Sequence, residues 1–301
     1  MPQKPKNFNS PTDLPNSKKE AEDWQRANRD WWQDTPMRYD WKKSISYQEF
    51  SRPFYQEIDK RFFENAQEYL GNEKIPFDSI IDFNSLQDKD VLEIGIGNGS
   101  HAQFLSKYTK SFTGIDITDY SIKNTKKRFD LFNLDGKILK MDAEDMTFSD
   151  SSFDFIWSWG VIHHSSNPYK IIREISRVLR PKGEVYIMIY HRGWWNYHVM
   201  EVLWGLFSGK LMKLKSLHKS VQVHSDGAIA RFYSIADWKK LTGDFFDITE
   251  IKCLGPKSDL IPLPGSRLKK IASKLISNTL NRFLVNKFRM GSFLISELIQ
   301  K

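Results

Sequence analysis

The 301-residue chain carries 45 lysines and arginines against 37 aspartates and glutamates, a formal net charge of +8. With 40% hydrophobic and 27% charged residues it has the composition of an ordinary soluble protein, long enough for one large α/β domain plus an appendage. A single cysteine, Cys253, excludes internal disulfides and cysteine-based zinc sites, reads as a small buried strand residue, and fits a reducing cytoplasm.

Residues 1–20 set Pro2, Pro5, Pro11 and Pro15 among polar residues and are expected to be a disordered tail. Trp24, Trp31, Trp32 and Trp41 then fall within eighteen positions, too dense for an exposed linker. They form either a hydrophobic staple or a lid that excludes water from a site, with Tyr39, Asp40 and Trp41 as the site-facing members. Phe54, Ile58, Phe62, Ala66 and Leu70 recur every four residues and predict an amphipathic helix that stops at Gly71.

From residue 90 the pattern changes to alternating strands and helices, the signature of a parallel α/β sheet. The stretch DVLEIGIGNGS at 90–100 reads as a short buried strand, then a turn marked by Gly95, Gly97 and Gly99, then a helix from about Ser100. A second strand at 111–118 brings Asp116 to a position 19 residues after Gly97, where such sheets present a carboxylate to a ribose diol. Asp119 or Ser121 is expected to cap a basic helix running to Phe132. The third strand is about 136–141, followed by Asp142, Ala143, Glu144 and Asp145. The fourth, 153–159, ends in Gly160, Val161, Ile162, His163 and His164. Asn167 and Pro168 start a helix whose inner face is Ile171, Ile172, Ile175, Val178 and Leu179, and a fifth strand follows at 184–190. Ser234 caps the helix 235–241, the sixth strand is 248–254, and 292–299 reads as a seventh.

Two stretches fall outside this alternation. Residues 194–217 are aromatic and apolar with lysines gathering at the end, and 266–290 repeat apolar residues every three or four positions with basic ones between. Neither 202–225 nor 266–290 holds an acidic residue. The spacing in 266–290 predicts one basic amphipathic helix, or two separated near Asn278. The two stretches either cap the sheet or form a face resting on an anionic membrane. No apolar run reaches the roughly 18 residues of a spanning helix, and no signal-peptide pattern opens the chain. The expected location is therefore the cytosol or a membrane surface.

A GxGxG turn alone is weak, so Glu93 inside the strand matters. Its charge would oppose a dinucleotide pyrophosphate and suits a cation, such as the sulfonium nucleoside S-adenosylmethionine (SAM). Residues 91–99, 114–118, 141–146, 153–164 and 174–190 resemble, in order and spacing, the motifs of class I SAM-dependent methyltransferases, closest to the type-11 group that includes ubiquinone/menaquinone C-methyltransferase-like enzymes. The resemblance implies a Rossmann-like α/β fold with a seven-stranded sheet, its last strand antiparallel between the fifth and sixth. The expected organisation is a tail (1–20), an N-terminal helical, tryptophan-rich cap (21–85) and the methyltransferase domain (86–301), with helical insertions at about 192–233 and 255–290.

The same resemblance implies that Gly95 and Gly97 face the methionine part of SAM with Glu93 beneath its ammonium, and that Gly99 completes the cofactor-binding turn. Asp116 would then accept both ribose hydroxyls, Ile117 and Ala143 would sandwich the adenine, and Asp142 would accept from its amine. Ser158 and Trp159 would border the methionine. In-line methyl transfer mainly needs alignment, but a hydroxyl or weak carbon acid needs a base. His164 is the candidate, then His163 and His191, with Tyr190, Trp194 and Trp195 as acceptor-pocket walls. The histidines lack companion ligands, so no metal site is expected. A small-molecule or lipid-like acceptor is the leading expectation. The alternatives are an RNA methyltransferase, suggested by the basic charge but lacking an RNA-binding module, and a non-catalytic SAM-binding scaffold.

Overall fold

The computed structural model describes residues 4–5, 7–40, 43–71, 75–263 and 266–301. Trp41, expected in the cap, lies outside these. Two helices precede the sheet: α1 (Lys18–Asp34), whose N-cap Ser17 accepts from the Glu20 amide, and α2 (Arg52–Leu70), capped by Ser51 and ended at Gly71.

The α/β unit then runs β1 (Asp90–Ile94), α3 (Ser100–Leu105), β2 (Ser111–Asp116), α4 (Asp119–Phe132), β3 (Lys137–Lys140), β4 (Phe153–Trp159), α5 (Pro168–Val178) and β5 (Leu179–Tyr190). A π-helical stretch, Trp194–Met200, leads into α6 (Glu201–Phe207), α7 (Lys210–Leu214) and α8 (Leu217–His224). After these come α9 (Ile235–Thr242), β6 (Phe246–Leu254), α10 (Arg267–Leu275), α11 (Asn278–Lys287) and β7 (Phe293–Gln300). The seven strands lie in the order β3-β2-β1-β4-β5-β7-β6. Strands β1 to β5 pair in parallel, and β7 inserts antiparallel between β5 and β6. The direction of winding reverses between β1 and β4, and the crevice at the carboxyl ends of these strands is where such sheets take ligands.

Period-two side-chain alternation divides the core between two faces of the sheet. Leu92, Ile94, Ile156 and Ile187 pack with Ile171, Ile175 and Val178 of α5. Val91, Phe155 and Trp157 pack instead with Phe62, Ala66 and Leu70 of α2, which explains that helix's four-residue repeat.

Three local expectations are corrected. The residue capping α4 is Thr118, whose hydroxyl accepts from the Ser121 amide, so strand β2 ends two residues early and Thr118 turns the chain. Asn167 precedes α5 but forms no side-chain cap hydrogen bond. The described part of the supposed tail is packed: Phe8 is buried against Trp24 and Ile229, and the Asp13 carbonyl accepts from Arg231 at 2.9 Å. Aromatic burial and a guanidinium partner overcome the proline-rich, polar composition.

Candidate active site

The turn after β1 is built on backbone that side chains rarely adopt. Gly95 sits at φ +79° and Gly97 at +49°. A Cβ on Gly95 would stand 2.2 Å from Val161 Cγ2, so this glycine lets the β1 turn approach the β4 loop. A Cβ on Gly97 would meet no described residue within 4 Å, so that side of the turn is open with respect to them. Gly99 is the N-cap of α3, and its own Cβ would crowd Thr125 and Arg128.

Beneath the turn Glu93 is only 3% exposed, and its Oε2 has no hydrogen-bond partner among the described residues. Burial, with the charge of Asp116 added, pushes its carboxyl well above the usual carboxylate range. A buried, unpartnered carboxylate beside another acid is a place for a cation.

The carboxylates ending β2 and β3 are held by neighbouring donors. Asp116 Oδ1 accepts from the Thr118 amide (2.9 Å) and hydroxyl (2.8 Å), and Oδ2 from the Gly97 amide (3.2 Å). Burial nonetheless leaves its pKa raised. Asp142 Oδ1 accepts from the Glu144 amide, and both its oxygens accept from Gln25 Nε2 at 2.9 Å. Ser121 is a further side-chain donor to Asp116, whereas Asp142, since a carboxylate offers about four acceptor sites, keeps one open on Oδ2 with respect to the described residues. Ile117 and Ala143, next to the two aspartates, are half-buried.

Past β4 the chain turns at Gly160 (φ +76°) into a 3-10 turn, Ile162–His164. His164 Nδ1 lies 2.6 Å from the Ile229 carbonyl. A carbonyl can only accept, so Nδ1 carries the proton and the Nε2 lone pair is left without a donor among the described residues. Burial pushes the His164 pKa down to about 4, which keeps the ring neutral. His163 is fully buried with both ring nitrogens unpartnered among the described residues, its ring 3.9 Å from that of Tyr190 and 4.1 Å from that of His164. His191 is tied elsewhere: its Nδ1 meets the Gly291 carbonyl at 2.7 Å. Ser158 is buried, with its hydroxyl toward the Ile94 carbonyl (3.4 Å), and Trp159 stacks on Trp157 at 5.4 Å. Tyr190 thus joins the two histidines, whereas Trp194 and Trp195 donate to the Phe288 and Asp259 carbonyls, away from the strand ends.

Residues 92–187 match the family model described as "Methyltransferase domain". This third of the chain matches a methyltransferase domain of the type-11 group. Over 100 residues, a third of this chain and 36% of the relative, it is 37% identical to the phthiotriol/phenolphthiotriol dimycocerosates methyltransferase of Mycobacterium tuberculosis. It is 31% identical over 98 residues, 36% of that relative, to the 27-O-demethylrifamycin SV methyltransferase of Amycolatopsis mediterranei. The chain thus spans little more than a third of the curated relatives it matches. A solved chain from the Haloferax volcanii Trm112 methyltransferase activator complex aligns with a TM-score of 0.52 at 17% identity. It covers 84% of this chain and 99% of that one, and shows the same fold.

Over the methyltransferase domain lies a set of contacts that local sequence patterns did not reveal. Gln25 of α1 bridges Asp142 and the Ser166 amide (3.0 Å), Gln33 accepts from the Tyr120 amide (3.1 Å), and Asn98 donates to the Met37 carbonyl. Trp32 packs edge-on to His164, their rings 4.9 Å apart. Of the expected site-facing members, Tyr39 packs on Phe62 at 5.2 Å, and Asp40 pairs with Arg38.

Two buried arginines anchor these elements. Arg128 of α4 binds Asp59 of α2 (3.0 Å), and Asp59 also accepts from the Ser100 hydroxyl (2.6 Å), fixing α2 to the glycine turn. Arg231 is fully buried, and its guanidinium donates to the carbonyls of Asp13, Ser165 and Ser166. Nothing in the local sequence distinguished Arg128 from the solvated lysines around it.

Proposed function

We propose that this chain transfers a methyl group from SAM to a small-molecule or lipid-like acceptor, with residues 86–301 as the catalytic domain and 21–85 as a cap. The observation that carries the reading is the unpartnered Glu93 Oε2, buried beneath the glycine turn. Bound SAM supplies a methyl on a sulfonium centre, already activated for in-line displacement.

The chain's own residues then bind and orient. Glu93 offers its carboxylate to the donor's ammonium, and Gly95, Gly97 and Gly99 leave room for the methionine part, with Ser158 and Trp159 at its border. Asp116 takes the ribose hydroxyls as its present donors, Thr118, Ser121 and Gly97, yield their places. Asp142 Oδ2 takes the adenine amine between Ile117 and Ala143. His164, neutral and with Nδ1 committed to Ile229, holds Nε2 ready to accept a proton from a hydroxyl or carbon acid. His163 lines the same pocket with Tyr190. A large apolar acceptor is supported by these aromatic walls and by relatives named for a dimycocerosate and a rifamycin.

Calorimetry on Asp116→Ala tests the donor assignment. Losing a hydrogen bond to a charged acceptor should weaken SAM by roughly 1.5–3 kcal/mol, about 10- to 150-fold. Equal affinity for variant and parent would remove Asp116 from the site. Labelled SAM with a cell extract, followed by mass spectrometry of the products, then identifies the acceptor.

A further inference from the structure

We propose that the outer face of α10 and α11, continued by Trp194, docks on an anionic membrane surface and takes in the acceptor there. This deepens the methyltransferase reading and rests on it.

The amphipathic pattern of these helices faces the opposite way from that of a packed helix. Helix α10 buries no residue, and Leu268, Ile271 and Leu275, spaced along one side, are 68%, 58% and 83% exposed. Helix α11 is fixed from below by Asn281, whose amide donates to the Glu68 (3.0 Å) and Gly255 (2.9 Å) carbonyls, and by buried Val285. Its larger apolar side chains Leu280 and Phe283 point outward. At its end the Phe288 carbonyl accepts from Trp194 Nε1 at 2.9 Å, which joins exposed Trp194 to the same patch. A soluble helix turns its apolar stripe to the core, whereas a helix lying in a lipid interface turns it outward.

Charge selects the occupant. Residues 266–290 hold no acid, and Arg267, Lys270, Lys274 and Lys287 form no ion pair with a described residue. A second copy of the chain would oppose basic residue to basic residue across a self-complementary contact. Nucleic acid would neutralise the charge but leave the leucines and phenylalanines uncovered. An anionic bilayer satisfies both, with basic side chains at the headgroups and apolar ones below. No helix among the described residues is long and apolar enough to cross a membrane, so the contact is peripheral.

The patch also connects to the site. Beside Glu68, Tyr69 begins a row of rings: Phe293 at 5.8 Å, then Tyr190 at 6.0 Å, His163 at 3.9 Å and His164 at 4.1 Å. This packed row links the underside of α11 to the candidate base, so a patch seated on a membrane lies at one end of a continuous aromatic layer that reaches the site.

Flotation of the full chain with phosphatidylglycerol–phosphatidylcholine vesicles, against phosphatidylcholine alone, tests this. Two surface variants accompany it: Ile271→Ser/Leu275→Ser, and Lys270→Gln/Lys274→Gln/Lys287→Gln. The parent should float only with the anionic vesicles. Each basic residue near such a surface adds roughly fivefold, so the triple variant should lose on the order of 100-fold at low salt. The double variant should stop floating, and both should bind SAM as the parent does. Equal flotation with both vesicle types, flotation with neither, or a dimer abolished by the same variants would each overturn the docking face. If SAM binding is absent from the parent, the donor reading fails, and the flotation result still decides the face.

Discussion

Gly97→Ala separates the donor site from the fold, because the two glycines of the turn differ in what surrounds them. At φ +49° an alanine is strained by about 1 kcal/mol, and its Cβ meets no described residue within 4 Å. For a domain of this size that cost lowers Tm by roughly 2–4 °C. Gly95→Ala carries similar strain and sets its Cβ against Val161 Cγ2, adding roughly 1–3 kcal/mol of overpacking. The open space at Gly97 is where the donor's methionine part is proposed to lie. Gly97→Ala should therefore stay folded yet lose SAM affinity by about 10- to 150-fold, the loss expected when hydrogen bonds to a charged group no longer form. Thermal melts and calorimetry measure both numbers on one preparation. Gly97→Ala binding SAM within about twofold of the parent would falsify the placement.

Glu93→Gln should raise the Tm of the donor-free protein at neutral pH while weakening SAM. The fold raises this carboxyl's pKa, so its protonated form is favoured, and the parent loses stability as pH rises from the unfolded carboxylate value through the raised one. Glutamine removes that decline, and a variant that melts lower at neutral pH yet binds SAM normally refutes the argument. His164→Asn keeps a donor for the Ile229 carbonyl and removes Nε2, so kcat should fall on the order of 10²–10⁴-fold with SAM affinity unchanged. Because burial holds the His164 pKa at about 4, kcat/KM in the parent should stay level through neutral pH and fall only as pH approaches that value. An inflection near the ordinary histidine value assigns proton transfer to another group.

The sheet was legible because its signals are local. Apolar runs at 91–96 and 153–159, turn glycines between strand and helix, and acids after β2 and β3 can each be read within a window of about ten residues. Glu93 stood out for the same reason, as a charge inside a buried strand. The cap was not legible, since its contacts join residues far apart. Gln25 meets Asp142 across 117 positions, and Arg231 meets Asp13 across 218. For residues 266–290 the spacing left one helix or two separated near Asn278, and the structure has two, but periodicity cannot tell which face meets protein. That required the Asn281 anchors.

Staple and lid, the two expectations for the tryptophan-rich segment, belong to different parts of it. Around Trp24 the contacts are those of a core: Phe8, Trp24 and Ile229 are buried together, and Arg231 gives its donors to backbone carbonyls. Burying an aromatic side chain contributes roughly 1.5–3 kcal/mol, and stripping a buried guanidinium of its partners costs about as much again. Along the site-facing side of α1 and just beyond it, hydrogen bonds join Gln25 to Asp142, the Tyr120 amide to Gln33 and Asn98 to the Met37 carbonyl, each contributing a net ~0.5–1.5 kcal/mol. Those bonds together are comparable to a fraction of the binding free energy of a micromolar ligand, about 8 kcal/mol. An adenine amine taking the open site on Asp142 Oδ2 would share that oxygen with Gln25 Nε2, which places α1 beside the proposed donor.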